Sequence, residues 1–228
     1  MEIYFILYKP AVPGNVGAAA RALKTMGFRH LRLIDPCDHL TEEALMMAHG
    51  SHDILKSASL FDTFEEATSD LDLLVATTSR ERSAKHDYHS IRSLCGILEN
   101  KATHLEKTGI LFGTEESGLP NELVLRSDLA MTIPMAAGYP SLNLAQAVMI
   151  TAYELSLMNP LSQPGQPLSK SGEGFGELRN QALQLLQKAG IQEGTPLFHR
   201  IMERLSLAGP VDIPLFLSVL SRLNQQNP

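Results

Sequence analysis

Three short segments of the chain contain most of the residues that could do chemistry. They are NVGAAAR at residues 15–21, FGTEESGL at 112–119 and YPSLNLAQAV at 139–148. An arginine can bind phosphate or stabilise a developing oxyanion, glycines let a backbone approach a ligand closely, and a serine or asparagine can cap the apolar helix that follows it. Taken one at a time, the same segments also fit a solvated charge, a surface turn and an ordinary helix cap.

In this order, across residues 15–148, the segments resemble the three motifs of the SpoU/TrmH class of SPOUT RNA methyltransferases. The similarity covers residues 1–158 and is greatest to the TrmJ/LasT subgroup. It implies an enzyme that uses S-adenosylmethionine as cofactor and transfers a methyl group to a ribose 2′-hydroxyl of tRNA, with rRNA as the second choice. Such a transfer needs an exposed donor methyl, an acceptor oxygen in line with it and a route for the hydroxyl proton. It needs no metal.

The resemblance also implies the residues of the catalytic centre. Arg21 matches an arginine that is often assigned as the base toward the 2′-hydroxyl, but a guanidinium stays protonated at any accessible pH. We therefore expect Arg21 to bind the neighbouring phosphate and to stabilise the 2′-oxyanion, while the proton leaves through that phosphate or through water. The family pattern adds residues that position Arg21, the ribose, the target nucleotide or the chain itself: Asn15, Glu115, Tyr139, Ser141 and Asn143.

Cofactor contacts are expected where three strands end. Ligand sites in open α/β sheets lie beyond the carboxyl ends of the strands, and loops follow apolar runs at residues 77–79, 113 and 133. By resemblance, main-chain groups of Gly113 and Ile133 contact S-adenosylmethionine, and residues 77–79 touch its methionine end. The full expected set is Thr77, Thr78, Ser79, Gly113, Ile133, Pro140, Ser141 and Leu142.

Apolar runs of strand length alternate with helix-period segments through the first two-thirds of the chain, which predicts an α/β fold with a parallel sheet. The runs are nearly continuous, as expected for strands buried on both faces. The predicted strands are 3–8, 30–35, 71–77, 109–113 and 129–134, and the predicted helices are 16–26, capped by Asn15, 41–48, 90–100 and 142–157. The resemblance adds a trefoil knot within residues 109–158 and a homodimer with active sites near the subunit interface.

Composition changes abruptly after residue 158. The next stretch, to residue 176, is rich in Pro, Gly and Ser and lacks apolar periodicity, which indicates a linker. Three amphipathic helical segments follow, at 177–189, 196–207 and 213–223. We expect these helices to pack on the main domain, on a dimer mate or on substrate. The predicted organisation is a SPOUT domain at 1–158, a linker at 159–176 and a C-terminal helical extension at 177–228.

Composition favours a reduced, intracellular protein that contacts RNA through local charge. The 228 residues include two cysteines, too few for a disulfide framework, and carry a formal net charge of −6. The N-terminal apolar run is too short to span a bilayer and lacks a signal-peptide pattern, so we expect a cytoplasmic location and no membrane partner. Basic residues nevertheless form two clusters, one across residues 80–92 and one near the first motif. The cluster near the first motif consists of Arg21, Lys24, Arg29, His30 and Arg32. Two such clusters favour a phosphate-facing surface.

Two other functions fit parts of the sequence. A non-catalytic RNA-binding protein could keep this fold, although Arg21 and Ser141 are both present. A nucleotide-dependent dehydrogenase would need a G-x-G-x-x-G turn after the first strand, whereas residues 13–18 read PGNVGA. The sequence also lacks a phosphate-binding loop that ends in Gly-Lys-Ser or Gly-Lys-Thr.

Overall fold

The computed structural model describes residues 1–79, 87–136, 141–158 and 174–226. The strands within them are β1 Glu2–Tyr8, β2 His30–Ile34, β3 Ser59–Phe61, β4 Leu73–Thr78, β5 His89–Ser90, β6 Lys107–Phe112 and β7 Leu129–Thr132. They form one seven-stranded sheet in the order β3-β2-β1-β6-β4-β7-β5, and all of their pairings are parallel. The predicted parallel α/β sheet is therefore confirmed, and each of the five predicted strands agrees within two residues at either end.

Ten helices accompany the sheet in the described residues. They are α1 Pro13–Thr25, α2 Glu42–Met47, α3 His52–Lys56, α4 Phe64–Thr68, α5 Ile91–Lys101, α6 Asn121–Arg126, α7 Leu144–Ser156, α8 Phe175–Lys188, α9 Pro196–Leu205 and α10 Asp212–Gln226. The predicted cap of the first helix is wrong: α1 begins at Pro13 after Val12, so Asn15 lies inside its first turn. Proline is well suited to this position because its missing N–H would have had no partner there. None of these helices combines the length and apolar character that crossing a bilayer requires.

The central strands are buried on both faces of the sheet. Successive residues of a strand point in opposite directions, so Phe5 and Leu7 of β1 pack in one core with α1, α5 and α7, whereas Ile6 packs in a second core with α4 and α6. Small residues let the covering helices approach each other. A Cβ on Gly17 of α1, for example, would lie 2.1 Å from the Ala44 carbonyl oxygen of α2.

The C-terminal helices pack on the main body of their own chain. Phe175 and Leu178 of α8 and Ile213 of α10 belong to the same apolar cluster as β1 and α5. The Phe175 amide donates a hydrogen bond to the His104 carbonyl at 3.0 Å. The expected alternatives were packing on the main domain, on a dimer mate or on substrate. The structure shows the helices packed on the main domain.

Lys101, at the end of α5, is buried beneath the C-terminal helices. Its side chain is 1% exposed, its Nζ donates a hydrogen bond to the Ala208 carbonyl at 2.5 Å, and Nζ lies 4.4 Å from the centroid of the Phe175 ring. Burial disfavours the ammonium form and lowers the pKa of Lys101 to about 8, even though the carboxylates of Asp128 and Asp212 act in the opposite direction.

This buried ammonium predicts a pH-dependent stability. Because the pKa of Lys101 is lower in the native state than in the unfolded chain, the unfolded chain binds more protons above about pH 8, and raising the pH stabilises the native state. Relative to Lys101→Met, we expect the free energy of unfolding of the wild type to increase by about 2 kcal/mol between pH 7.5 and 9.5. Urea unfolding at both pH values measures this difference. Lys188→Met, which removes an exposed ammonium, is the matched control, and a pH-independent difference for Lys101→Met would contradict the prediction.

Candidate active site

Four strands end side by side at the carboxyl edge of the sheet. In the sheet order, β1, β6, β4 and β7 are consecutive neighbours, so the loops that follow them share one edge. Thr77 and Thr78 end β4, Gly113 follows β6, and Ile133 follows β7. The predicted convergence of these strand ends is therefore present, and their contact with a cofactor stays a prediction.

The side chains along this edge of the sheet are partly apolar and partly polar. Ile133 and Leu142 are half-buried, Thr78 is buried, and Ser79 and Ser141 are exposed. A half-buried aliphatic side chain can cover one face of a flat ring, and main-chain groups beyond a strand end are available to pair with its polar edge. Tyr139 and Pro140, also expected here, lie outside the described residues.

The second motif folds into a tight turn that requires glycine at both ends. A Cβ on Gly113 would lie 2.2 Å from the carbonyl carbon of Gly118, and Gly118 has a φ of +69°. The Gly118 amide donates to the Thr114 carbonyl at 3.1 Å, and the Ser117 amide donates to Thr114 Oγ1 at 3.2 Å. The close crossing of two backbone segments, rather than ligand approach alone, therefore explains Gly113.

Glu115 extends from this turn to the first turn of α1. Its Oε2 accepts a hydrogen bond from the Ala11 amide at 3.0 Å, and its Oε1 accepts from the Val12 amide at 3.3 Å and from Asn15 Nδ2 at 3.1 Å. Partial burial of Glu115 opposes ionisation, but these donors outweigh it and lower the pKa of the carboxyl below its ordinary value. The carboxylate also lies at the positive end of the α1 dipole, which favours its charged form.

Asn15 connects this carboxylate to the third motif. Asn143 Nδ2 donates to Asn15 Oδ1 at 2.9 Å, while Asn143 Oδ1 accepts from the Ala145 amide at 2.9 Å and caps α7. Gln146 Oε1 accepts in turn from the Asn143 amide at 3.2 Å, which completes a capping box. The side chains of Glu115, Asn15 and Asn143 thus form one hydrogen-bonded chain, called here the motif bridge, that joins all three motifs.

Arg21 lies on α1 six residues after Asn15, about 9 Å further along the helix axis. Its side chain is exposed, whereas the neighbouring Ala20 and Ala22 are buried. The helix is held from both sides, because α1 packs against α2 and α7. Arg21 is therefore an exposed guanidinium on the same packed helix as Asn15, and its side chain takes no part in the described hydrogen bonds of the motif bridge.

The basic cluster predicted near the first motif is only partly a surface feature. Arg32 is 6% exposed, forms hydrogen bonds of 2.6 and 2.9 Å with Asp70, and lies 4.1 Å from the centroid of the Tyr4 ring. Lys24 forms an ion pair with Asp53 at 2.7 Å. The prediction that Arg32 faces phosphate is wrong, because its strand position places the side chain inside the protein. Of the second basic run, residues 80–86 lie outside the described residues.

Sequence reasoning missed several groups that build the site. The main-chain amides of Ala11 and Val12 hold Glu115, and no sequence signal marks a backbone donor. Gln146 was also missed, although an asparagine followed three residues later by a glutamine is the pattern of a capping box. These omissions concern what holds the motifs in place.

Comparison with known proteins identifies the family of this chain. Residues 2–153, which include all three motifs, match the SpoU rRNA Methylase family. The chain is 39% identical over 208 residues to the "Uncharacterized tRNA/rRNA methyltransferase LasT" of Escherichia coli K12, covering 91% of this chain and 90% of that protein. It is 38% identical over 157 residues to the "tRNA (cytidine-2'-O-)-methyltransferase TrmJ" of Methanocaldococcus jannaschii, covering 67% of this chain and 66% of that protein.

Solved structures agree with this relationship. TrmJ from Z. mobilis ZM4 matches with a TM-score of 0.68 and 28% identity, over 98% of this chain and 100% of that chain. A probable methyltransferase from Bordetella pertussis Tohama I matches with a TM-score of 0.63 and 38% identity, over 68% of this chain and 94% of that chain. With its expected motifs, parallel sheet and relatives in agreement, the chain belongs to the SpoU rRNA Methylase family.

Proposed function

We propose that this protein is an S-adenosylmethionine-dependent RNA methyltransferase that methylates a ribose 2′-hydroxyl of tRNA. The observation that carries the proposal is the motif bridge, which joins Glu115, Asn15 and Asn143 at the carboxyl edge of the sheet. The relative from M. jannaschii, at 38% identity, is named as a tRNA 2′-O-methyltransferase. This name supports tRNA over rRNA as the substrate.

Residues at the strand ends would hold the cofactor. Main-chain groups of Gly113 would contact S-adenosylmethionine, those of Ile133 would contact its adenine, the half-buried Leu142 would pack against the cofactor, and the β4 end would contact the methionine moiety. The remaining members of the proposed set are Thr77, Thr78, Ser79, Pro140 and Ser141. When bound, S-adenosylmethionine supplies an electrophilic methyl group on a sulfonium that leaves as a neutral thioether.

Arg21 would act on the acceptor side of the reaction. The 2′-hydroxyl would accept the methyl group that S-adenosylmethionine supplies, and its proton would pass to the adjacent phosphate or to water. The guanidinium binds that phosphate and stabilises the negative charge that develops on the 2′-oxygen. It does not have to lose a proton, which its basicity forbids. Asn15 and Asn143 position the start of α1 and of α7 around this centre, and Tyr139 orients the nucleotide.

The proposal extends to the architecture. We propose a trefoil knot within residues 109–158 and a division into a SPOUT domain at 1–158, a linker at 159–176 and a helical extension at 177–228. A homodimer is supported by exposed apolar side chains on α7 and just after it, where Tyr153 is 50% and Leu157 62% exposed. We also propose a cytoplasmic location, where tRNA would be available as substrate.

Transfer of labelled methyl from S-adenosylmethionine to RNA tests the function. Total tRNA and, separately, rRNA should come from cells that lack this protein, and nucleoside analysis should locate the label. We expect 2′-O-methylated nucleosides in the tRNA. Label on a base would contradict the ribose assignment, and RNA binding that is indifferent to cofactor, without any transfer, would favour the non-catalytic alternative.

A further inference from the structure

Helix α9 of the C-terminal extension forms hydrogen bonds and ion pairs with the chain just before strand β5. The Asp87 amide donates a hydrogen bond to Glu203 Oε1 at 3.1 Å. Arg200 Nη1 donates to Asp87 Oδ2 at 3.1 Å and to Glu203 Oε2 at 3.0 Å, and Arg204 Nη2 lies 3.5 Å from the same Asp87 oxygen. Main chain and side chain of Asp87 are thus both held by one helix, in an arrangement called here the Asp87 clamp.

The clamp is more than a surface ion pair. Glu203 is 3% exposed, so its carboxylate depends on the protein for its partners. Asp87 and Arg200 are about one-third exposed, with side-chain values of 31% and 37%. Nearby, His89 has a buried Nε2, and burial lowers the pKa of His89.

Strand β5 needs such support because it is short and lies at the end of the sheet. It consists of two residues, and its partner in the sheet is β7, through the pairs His89↔Met131 and Ser90↔Thr132. An isolated pairing of this length is marginal in water. Besides its pairing with β7, β5 is held by packing against α5 and by the Asp87 clamp.

The position of β5 connects the clamp to the cofactor edge. Thr132, which pairs with Ser90, is followed directly by Ile133, one of the residues proposed to contact the adenine. Along the chain, Asp87 lies between β4, whose end is the proposed methionine side, and β5. A shift of β5 would therefore change the position of Ile133, and displacements of about 1 Å are enough to affect a binding site.

We propose that Arg200 and Glu203 are positioning residues for S-adenosylmethionine, acting through Asp87 and β5 to hold Ile133 in place. This inference rests on the proposed function. It assigns the extension a role at the cofactor edge of its own chain.

Calorimetric titration of S-adenosylmethionine into the full-length protein tests the inference. For Arg200→Met and Glu203→Gln we expect Kd to rise at least about fivefold, with unchanged stoichiometry. Arg200→Lys, which keeps the charge but not the forked geometry, should recover part of the affinity. Arg179→Met is the matched control, because Arg179 ties α8 to Asp128 at 3.2 Å, beside the start of β7 and away from the cofactor edge. Its Kd should stay within about twofold of the wild type.

The binding stoichiometry distinguishes a positioning role of Arg200 and Glu203 from a purely structural one. A purely structural role would reduce the binding-competent fraction and leave Kd of that fraction unchanged, which would overturn the inference. Unchanged Kd in both variants would overturn it as well, even if tRNA affinity fell. Failure of the wild type to bind S-adenosylmethionine would overturn the proposed function together with this inference, whereas normal binding by wild type and variants would overturn the inference alone.

Discussion

Arg21→Ala should lower kcat for ribose methylation by about 100-fold or more, the loss that follows removal of one group that stabilises a developing oxyanion. Affinity for S-adenosylmethionine should stay within about twofold, because Arg21 acts on the acceptor side. The free energy of unfolding should change by no more than about 0.5 kcal/mol, since the side chain is exposed. Single-turnover methylation at saturating tRNA, cofactor titration and urea unfolding measure these three quantities in turn.

Lys24→Ala is the matched control for this experiment. Lys24 lies on the same helix and is also exposed, but it already pairs with Asp53 at 2.7 Å. We expect its kcat to stay within about threefold of the wild type. Arg21→Lys should recover only part of the activity, because an ammonium cannot bind phosphate through two parallel hydrogen bonds. An Arg21→Ala enzyme with normal kcat would remove Arg21 from the reaction.

Glu115→Gln should break the motif bridge and impair both stability and activity. Both carboxylate oxygens accept hydrogen bonds, from Ala11, Val12 and Asn15, and an amide can keep only one of them as an acceptor. We expect the free energy of unfolding to fall by about 1–3 kcal/mol. Because the turn after β6 and the starts of α1 and α7 would lose their mutual positions, kcat/KM should fall by about 10- to 100-fold.

The neighbouring Glu116 provides the control for this substitution. It is exposed in the same turn, so Glu116→Gln should leave stability and kcat/KM close to the wild-type values. The pH dependence gives an independent check. Since the pKa of Glu115 is lower in the native state than in the unfolded chain, its stabilising effect is present at neutral pH and is lost as the pH falls through the native pKa. The stability difference between wild type and Glu115→Gln should therefore shrink on acidification, and a constant difference would contradict the role of the carboxylate.

Local patterns of residue type predicted the long strands correctly but did not reveal the short ones. The five predicted strands are apolar runs covered on both faces, and burial leaves a clear trace in residue type. The missed strands β3 and β5 have three and two residues, too few for a period to be visible. Asn15 does not cap α1, because the helix begins two residues earlier at Pro13; its side chain pairs with Glu115 and Asn143 instead.

The sequence by itself determined the order of the three motifs along the chain and the alternation of strands and helices, and it predicted which residues could do the chemistry. Only the tertiary structure decided their partners. Glu115 meets Asn15 across a separation of 100 residues, Asn143 meets Asn15 across 128, and Glu203 holds Asp87 across 116. Such hydrogen bonds depend on strand order and helix packing, which bring distant segments within about 3 Å. Local propensity carries no information about distances of this kind, and this is why Arg32 could be read as a surface charge although it is buried.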